Sequence, residues 1–515
     1  MNNTAPFLRS YASAQMLSSS PSYSGTVIQT LAPAFYHSFY EYEVRRCLNW
    51  YDGYVPEVHG GGIGIISTNI AKTLCERATE AVFAGGLMFS NADTPIELDE
   101  KGGSVALSVV GDIWAKESDF QAHIKKACAS AAAGGTSLLR LNQGRGGRLW
   151  LDTFRADQFF ASLDQRGNVE KAITILTVFS GDDKGCFALV EERGYKSLTW
   201  SKRVPVQVFR VWRVPLGGTS NSLASPVDWP SLPNSVKNRL RKDYAGIRIG
   251  KERALPFRSL GLYAFRYTSG CDKYNGGLPY GESMLSPIMQ YLLSYDFYFS
   301  AFNTDLYLGR GRVIAKKPHQ TPESKNNQNY NSGLDSFMYD EIPTFSVEEQ
   351  KPVAIQFDLR SAQWREIRNS LIENIALSIG ISVGTLASFI SDASNRTARE
   401  ISAEESATTR FVAARREQFS KPINDCLAEV CHYLDFKDIV NVRWSLAGQT
   451  NIDALSTRVL AEYQSGVRSL KSAISALNPD MDEGQVNEEM ARIENEQTAK
   501  QNALFGDIGG GTDIV

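Results

Sequence analysis

The chain of 515 residues is long enough for about three domains. Its 43% apolar and 22% charged residues match an ordinary globular protein. Lysine and arginine total 54 against 57 acidic residues, a formal charge of −3, which argues against coating nucleic acid through a broad basic surface.

From the N-terminus, "MNNTAPFLRSYASAQMLSSSPSYSG" lacks the basic-then-apolar order of a signal peptide, so a flexible arm is expected over residues 1–36. The segment His37 to Tyr54 reads as a helix ending at Gly53. After the glycine patch "HGGGIGIIS", a second helix runs from Asn69 to Phe83, with Ile70, Leu74, Ala78 and Val82 on one face and Gly85-Gly86 as its stop. A third is expected from Val109 to Ala133. The period then changes. "TSLLRLNQGRGGRLWLDTF" reads as two strands around a glycine turn, and "VEKAITILTVFS" and "VPVQVFRVWRV" continue the strand character. Ser220 to Pro256, polar, proline-bearing and basic at Lys237, Arg239, Arg241 and Lys242, reads as a surface excursion.

Ser286-Pro287 makes a good helix start, with proline at the first position. That helix should reach Tyr307, apolar and aromatic on several faces. Its nearest approach to a membrane span, Met284 to Phe302, contains Gln290 and Asp296, and no uncharged apolar run approaches the ~20 residues that cross a bilayer. "GRVIAKK" and "KPVAIQF" read as strands, and a second long helix runs from Asp358 to Ile379 and closes at Gly380. Two helices thus bracket a small β-rich insert. "GISVGTLASFISDAS" is expected to be a loop. The next helix, from Ser394 to at least Phe419, is unusual. Nearly every third or fourth residue is charged, acids come early and Arg410, Arg415 and Arg416 late, and the apolar stripe is thin. A strand, "DIVNVRW", and two or three short helices follow, the last of them acidic.

Taken together, "NWYDG", "NIAKTLCERATEAVFAGGLMF", "AAAGGTSLLRLN", "GLPYGESMLSPIMQYLLSYDFYFSAFNTDLYLGRGRVIA", "IGISVGTLASFISDASNRTAREISAEES" and "AEYQSGVRSLKSAI" resemble, in order and spacing, the portal or head–tail connector proteins of tailed double-stranded-DNA bacteriophages. The resemblance covers the chain from about Asn49 to Glu496. It implies an α+β, mainly helical fold. The divisions would be an N-terminal arm (1–36), an α/β wing (37–286), a first stem helix (287–307), a β-rich clip (308–357) and a second stem helix (358–379). A tunnel loop (380–395), a long helix returning to the wing (396–441), a helical crown (442–497) and a flexible tail (498–515) would follow. It also implies a homo-oligomeric ring of about twelve subunits, a closed head-to-tail assembly, at one capsid vertex of the virion. Such a ring passes double-stranded DNA and meets major capsid and scaffolding proteins, terminase and head–tail adaptors. It is assembled in the host cytoplasm, away from membranes.

In a ring, the aromatic stem face (Tyr291, Tyr295, Phe299, Phe302, Trp364, Ile367, Leu371) would pack between subunits. The polar helix would turn its charged flanks to neighbours and to a water-filled bore. A bore that lets DNA slide should carry few strong phosphate contacts. The tunnel-loop residues Ser388, Ser391, Asp392, Ser394 and Asn395, with Arg396 and Arg399 behind them, suit it. The clip cluster Arg310, Arg312, Lys316 and Lys317 could meet DNA, the motor or an adaptor, or be solvated cations on a hairpin.

No catalytic constellation emerges. "HGGGIGIIS" lacks the G-K-[ST] of a phosphate loop. The five histidines are dispersed, and the seven cysteines are odd in number without a C-x-x-C pair, so reduced thiols in a cytosolic environment, no metal and no cofactor are expected. Cys426, Cys431 and His432 read as helix core. The non-enzymatic channel is therefore preferred to two alternatives: a metal-dependent nucleic-acid-processing enzyme, or a helical scaffold without a channel.

Overall fold

Helices and mostly antiparallel strands both form, so the chain is mixed α+β. The structure, a computed structural model, describes residues 32–53, 67–84, 86–91, 106–180, 185–197, 203–215, 225–244, 247–271, 278–308, 312–316, 339–342, 353–355, 361–390, 398–436, 439–444, 459–478, 484–493 and 495. The expected arm up to residue 31, the glycine patch from His59 to Ile66 and the tail (498–515) lie outside the described residues. Two compact units are present, residues 1–82 with 91–441 and residues 83–90 with 442–515.

In the first unit, α1 is a continuous run of Ala34–Phe39, Tyr40–Arg45 and Arg46–Tyr51, its middle stretch π-helical. Gly53, at φ 79°, follows its end. Helix α2 (Ile70–Val82) buries Leu74, Ala78 and Val82 of the expected face, while Ile70 at its start is half-buried and Ala71 is buried beside them. Strand β1 (Leu87–Asn91) follows in the chain but belongs, up to residue 90, to the second unit. The expected third helix is two: α3 (Leu107–Trp114, π-helical, continued by Ala115–Glu117) and α4 (Phe120–Gly134). The break is at Asp119, in the left-handed region at φ 49°. On one unbroken helix Trp114 and Phe120 would point about 120° apart. The break lets both be buried, with rings 5.5 Å apart.

Strands β2 (Thr136–Gln143) and β3 (Leu149–Phe154) form the expected hairpin. A second sheet holds β4 (Phe159–Leu163), β5 (Val169–Ser180), β6 (Gly185–Ser197), β7 (Arg203–Pro215) and β8 (Ser225–Val227) in that order, antiparallel throughout. Helix α5 (Asn234–Asp243) follows, then β9 (Glu252–Ala254), which also pairs with β7. Ser220 to Pro256 is thus more than a surface excursion. Its Leu232, Val236 and Leu240 close a core over Phe179, Phe187, Leu189 and Val211 on one face of the larger sheet. Strand β10 (Leu262–Arg266) pairs with β2, giving the order β10-β2-β3.

The last turn of α4 leaves carbonyls that need donors. They come from the segment that leads to the next helix: Ser283 Oγ lies 3.0 Å from Ala132 O and 2.7 Å from Ala133 O, and Met284 N donates to Ala132 O at 2.9 Å. Two glycines make this docking possible. A Cβ on Gly135, at φ 81°, would sit 2.2 Å from Gly281 O, and a Cβ on Gly281 would sit 2.3 Å from Gly135 O.

After a 3-10 turn at Ser286–Ile288 carrying Pro287, α6 runs over Met289–Leu308. The insert contains β11 (Arg312–Lys316), β12 (Tyr339–Ile342) and β13 (Val353–Ile355), with β11 central, parallel to β12 and antiparallel to β13. Helix α7 (Ser361–Ile379) ends at Gly380, φ 82°. The next segment corrects an expectation: residues Val383–Ile390 are a helix, α8, not a loop. Ser382 caps it by accepting from Thr385 N at 3.1 Å, and its Leu386 is fully buried. Helix α9 then covers Ala398–Tyr433, 36 residues, with Pro422 inside it.

In the second unit β1 pairs with β14 (Val440–Trp444), and the Phe83 ring meets Trp444 edge-on at 5.2 Å. Short helices α10 (459–464), α11 (Leu470–Leu477) and α12 (484–493) bury Val459, Ala473, Ile474 and Val486.

Candidate functional site: the helix pair and the long polar helix

Helices α6 and α7 lie antiparallel. Trp364, early in α7, packs against Tyr298 (ring centroids 5.2 Å) and Phe302 (6.0 Å), and its Nε1 donates to Asp305 Oδ2 at 3.1 Å, late in α6. The other end of α7 returns to the start of α6 through buried Ile372, Ile375 and Ala376. Tyr298 and Phe302 stack at 6.5 Å, and Tyr295 tilts against Tyr298 at 5.9 Å. The pair is clasped by aromatic rings inside one chain.

This places each residue expected at a subunit contact. Tyr295 is buried, and Tyr291, Phe299, Phe302, Trp364 and Leu371 are half-buried, while Ile367 is 46% exposed. Open apolar surface also comes from residues that sequence reasoning missed: Phe297 (52% exposed), Leu306 (38%) and Leu377 (81%). A helix as uniformly apolar as α6 gives no stripe from which inner and outer faces can be read. On α7 the signal was there. Leu377 breaks the face set by Ile372, Ile375 and Ala376.

One carboxylate fixes the pair to the rest of the unit. Asp296, 3% exposed, accepts from Thr68 N at 2.9 Å and Thr68 Oγ1 at 2.6 Å through the same oxygen. Burial pushes its pKa above the ordinary aspartate value, although the hydrogen bonds from Thr68 and Ser67 pull it down. A folded state that holds a proton more tightly than the unfolded chain is most favoured below the ordinary aspartate pKa. That contribution is lost as pH rises through the raised value. Asp296→Asn keeps an acceptor for Thr68 and carries no charge. We expect it to match or exceed the parent's thermal midpoint at neutral pH and to remove part of the decline as pH rises above the ordinary aspartate range. Thermal melts across that rise check it, and an undiminished decline would exclude Asp296 as the titrating group.

The turn after α7 is tied to α9 by hydroxyls. Thr408 Oγ1 accepts from Ser382 N at 3.2 Å and lies 3.0 Å from Thr385 Oγ1. Of the expected channel residues, Ser388 falls on α8 and Arg399 in the first turn of α9, and nothing is described of their side chains. Ser391, Asp392, Ser394, Asn395 and Arg396 lie outside the described residues. In the clip, Arg312 and Lys316 bound β11, while Arg310 and Lys317 lie outside the described residues.

Farther along α9 several polar side chains turn inward, while Arg410, Glu417, Lys421 and Asp425 stay exposed on its outer face. Arg416 is 5% exposed, and its Nε donates at 2.8 Å to Val82 O at the C-terminal end of α2, where a helix dipole favours a cation. The Arg415 guanidinium covers the Tyr267 ring at 4.0 Å and donates to the Tyr267 carbonyl. Glu429 accepts from the backbone of Arg258 (2.5 Å) and Ser259 (3.2 Å). Tyr433 OH donates to Gly147 O at 3.1 Å and takes Gln143 Nε2 at 2.6 Å. Phe411, Val412 and Phe419 are buried, as the thin stripe predicts. Much of this helix's polarity is thus spent inside its own unit, on backbone groups of α2 and the β2–β3 hairpin.

All seven cysteines are buried free thiols, and Arg258 Nη1 lies 2.8 Å from His432 Nε2. Among the described residues no group of three or more His, Cys, Asp or Glu is placed to hold a metal ion, and no helix is long and apolar enough to cross a membrane. The sequence matches no protein-family model, and no curated protein matches it.

Proposed function

We propose that the chain is the portal subunit of a tailed DNA bacteriophage, a ring-forming, non-enzymatic channel at one capsid vertex. In that reading the sheets with α1–α5 are the wing, α6 and α7 the stem, and β11–β13 the clip. Helix α8 approaches the bore, and α10–α12 form the crown. The ring would nucleate capsid assembly with scaffolding and major capsid proteins, dock the terminase during packaging, and later hold adaptors. One observation carries the reading. Two antiparallel helices bracket a three-stranded sheet, lead into a 36-residue helix, and leave Phe297, Ile367 and Leu377 open to solvent. Each such side chain is worth about 1.5–3 kcal/mol when fully buried, so a second copy is a favourable cover.

Negative-stain electron microscopy of the purified chain is expected to show rings with a central hole. Ile367→Ser with Leu377→Ser should shift the mass distribution toward single chains with unchanged far-ultraviolet circular dichroism. Parent protein that stays monomeric at assembly concentrations, or divalent-metal-dependent cleavage of DNA by it, would overturn the proposal.

A further inference from the structure

A cleft of about 670 Å³ opens over the larger sheet, between the C-terminal end of α5 and the β2–β3 hairpin. This is the size range of small-molecule sites, roughly 300–1,000 Å³. Its charge is lopsided. Of the carboxylates lining it, Glu191 is held by Arg140 and Arg193, and Glu252 pairs with Lys196 at 2.6 Å. Arg248, Lys251 and Arg253 also line it, and none of the three has an acidic partner among the described residues. The cleft therefore carries surplus positive charge in a chain whose formal net charge is −3.

Two further features narrow the ligand. Gln207 is 8% exposed, lines the cleft, and its side-chain amide has no hydrogen-bond partner among the described residues. The Nε of Arg140 is likewise buried and unpartnered. The Gln207 amide, which presents a donor and an acceptor side by side, is left free to pair with a ligand edge that offers both. The walls supply flat rings: Trp150, 44% exposed, with Tyr244 and Phe257. Such rings and guanidinium planes favour a stacked heterocycle. An acidic peptide would satisfy the cations but leave the amide and the rings unused.

We propose that this cleft binds a nucleotide unit, its phosphate on Arg248, Lys251 and Arg253, its base against the aromatic wall and within reach of the Gln207 amide. The unit is either a free nucleotide or part of a nucleic-acid strand.

The test is titration calorimetry on the full chain with ADP, with a 5′-phosphorylated deoxyoligonucleotide of six bases, and with hexaglutamate. ADP is expected to bind and to be displaced by pyrophosphate. Arg248→Ala with Lys251→Ala, both exposed, should weaken it at least ten-fold without moving the thermal midpoint. Gln207→Leu should weaken ADP while sparing pyrophosphate. Oligonucleotide binding that ADP competes away assigns a strand as the source, and ADP binding without oligonucleotide binding assigns the free nucleotide. The proposal falls if neither ADP nor oligonucleotide binds, if hexaglutamate alone binds, or if the double substitution leaves ADP affinity unchanged.

Discussion

Glu191→Gln is expected to destabilise the first unit by about 3–5 kcal/mol, because it removes the anion from a buried ion network, leaving the Arg193 guanidinium without a carboxylate and Arg140 with Asp152 alone. Glu191 is 1% exposed on β6 and accepts from Arg140 of β2 and, at 2.7 Å, from Arg193 Nε. Arg193, 2% exposed, also donates to Leu141 O (3.1 Å), Leu260 O (2.8 Å) and the Asn142 side chain. Arg140 continues to Asp152 on β3 at 2.6 Å. One carboxylate thus joins the two sheets. Burial works to raise its pKa, but Arg193 and Arg140 outweigh it and hold the group below the ordinary carboxylate range. With a lowered folded value, the stabilisation is present above the ordinary glutamate pKa and is lost as pH falls through the lowered one. Denaturant unfolding followed by tryptophan fluorescence should show a lower midpoint for Glu191→Gln and a flatter acid limb. Replacing Arg140, Glu191 and Arg193 together by Met should cost less than Glu191→Gln alone, since the one charge left without its ion pair, Asp152, is 37% exposed rather than buried. The opposite ranking would mean that the network is more than a set of mutually compensating charges.

A larger loss is expected from a methyl group. Gly135→Ala, and separately Gly281→Ala, should each cost more than about 4 kcal/mol, a size that calls for a specific steric cause. Here the cause is reciprocal. Each new Cβ meets the other glycine's carbonyl oxygen at 2.2–2.3 Å, and Gly135 is also at φ 81°. The contact lies where α4 gives its last carbonyls to Ser283 and Met284, so relief would require pulling the start of α6 away from α4. Soluble yield and melting temperature are the readouts. Gly146→Ala, at φ 82° but with nothing within 4 Å of its Cβ, is the matched control and should cost about 1 kcal/mol. Equal melting temperatures for Gly135→Ala and Gly146→Ala would show that the two backbones are not in contact.

What the sequence made legible was mostly local. Pro287 at a helix start, the glycines at 53, 86 and 380 after helix ends, and the β2–β3 hairpin all follow from backbone chemistry that acts within a few residues. Strand β6 was not read. Its middle carries Glu191 and Arg193, which spoil the apolar alternation and are tolerable only because Arg140 arrives from 51 residues away. Helix α8 was read as a loop because "GISVGTLAS" is weak in helix formers, and its stability rests on the Ser382 cap and on burial of Leu386. The same blindness hid the roles of Arg415 and Arg416. Charge spacing reveals that a helix is polar, not which polar groups have a carbonyl waiting elsewhere in the fold.

The pairing inside the β insert bears on how such a module can vary. Arg312 on β11 faces Ile355 on β13, so the two ends of the insert are held together by their own ladder. The connections between its three strands can change in length while the helices on either side keep their register. Doubling a loop adds only about 0.6 kcal/mol of closure entropy. A ladder at the base thus frees the helices from whatever length of chain the insert carries.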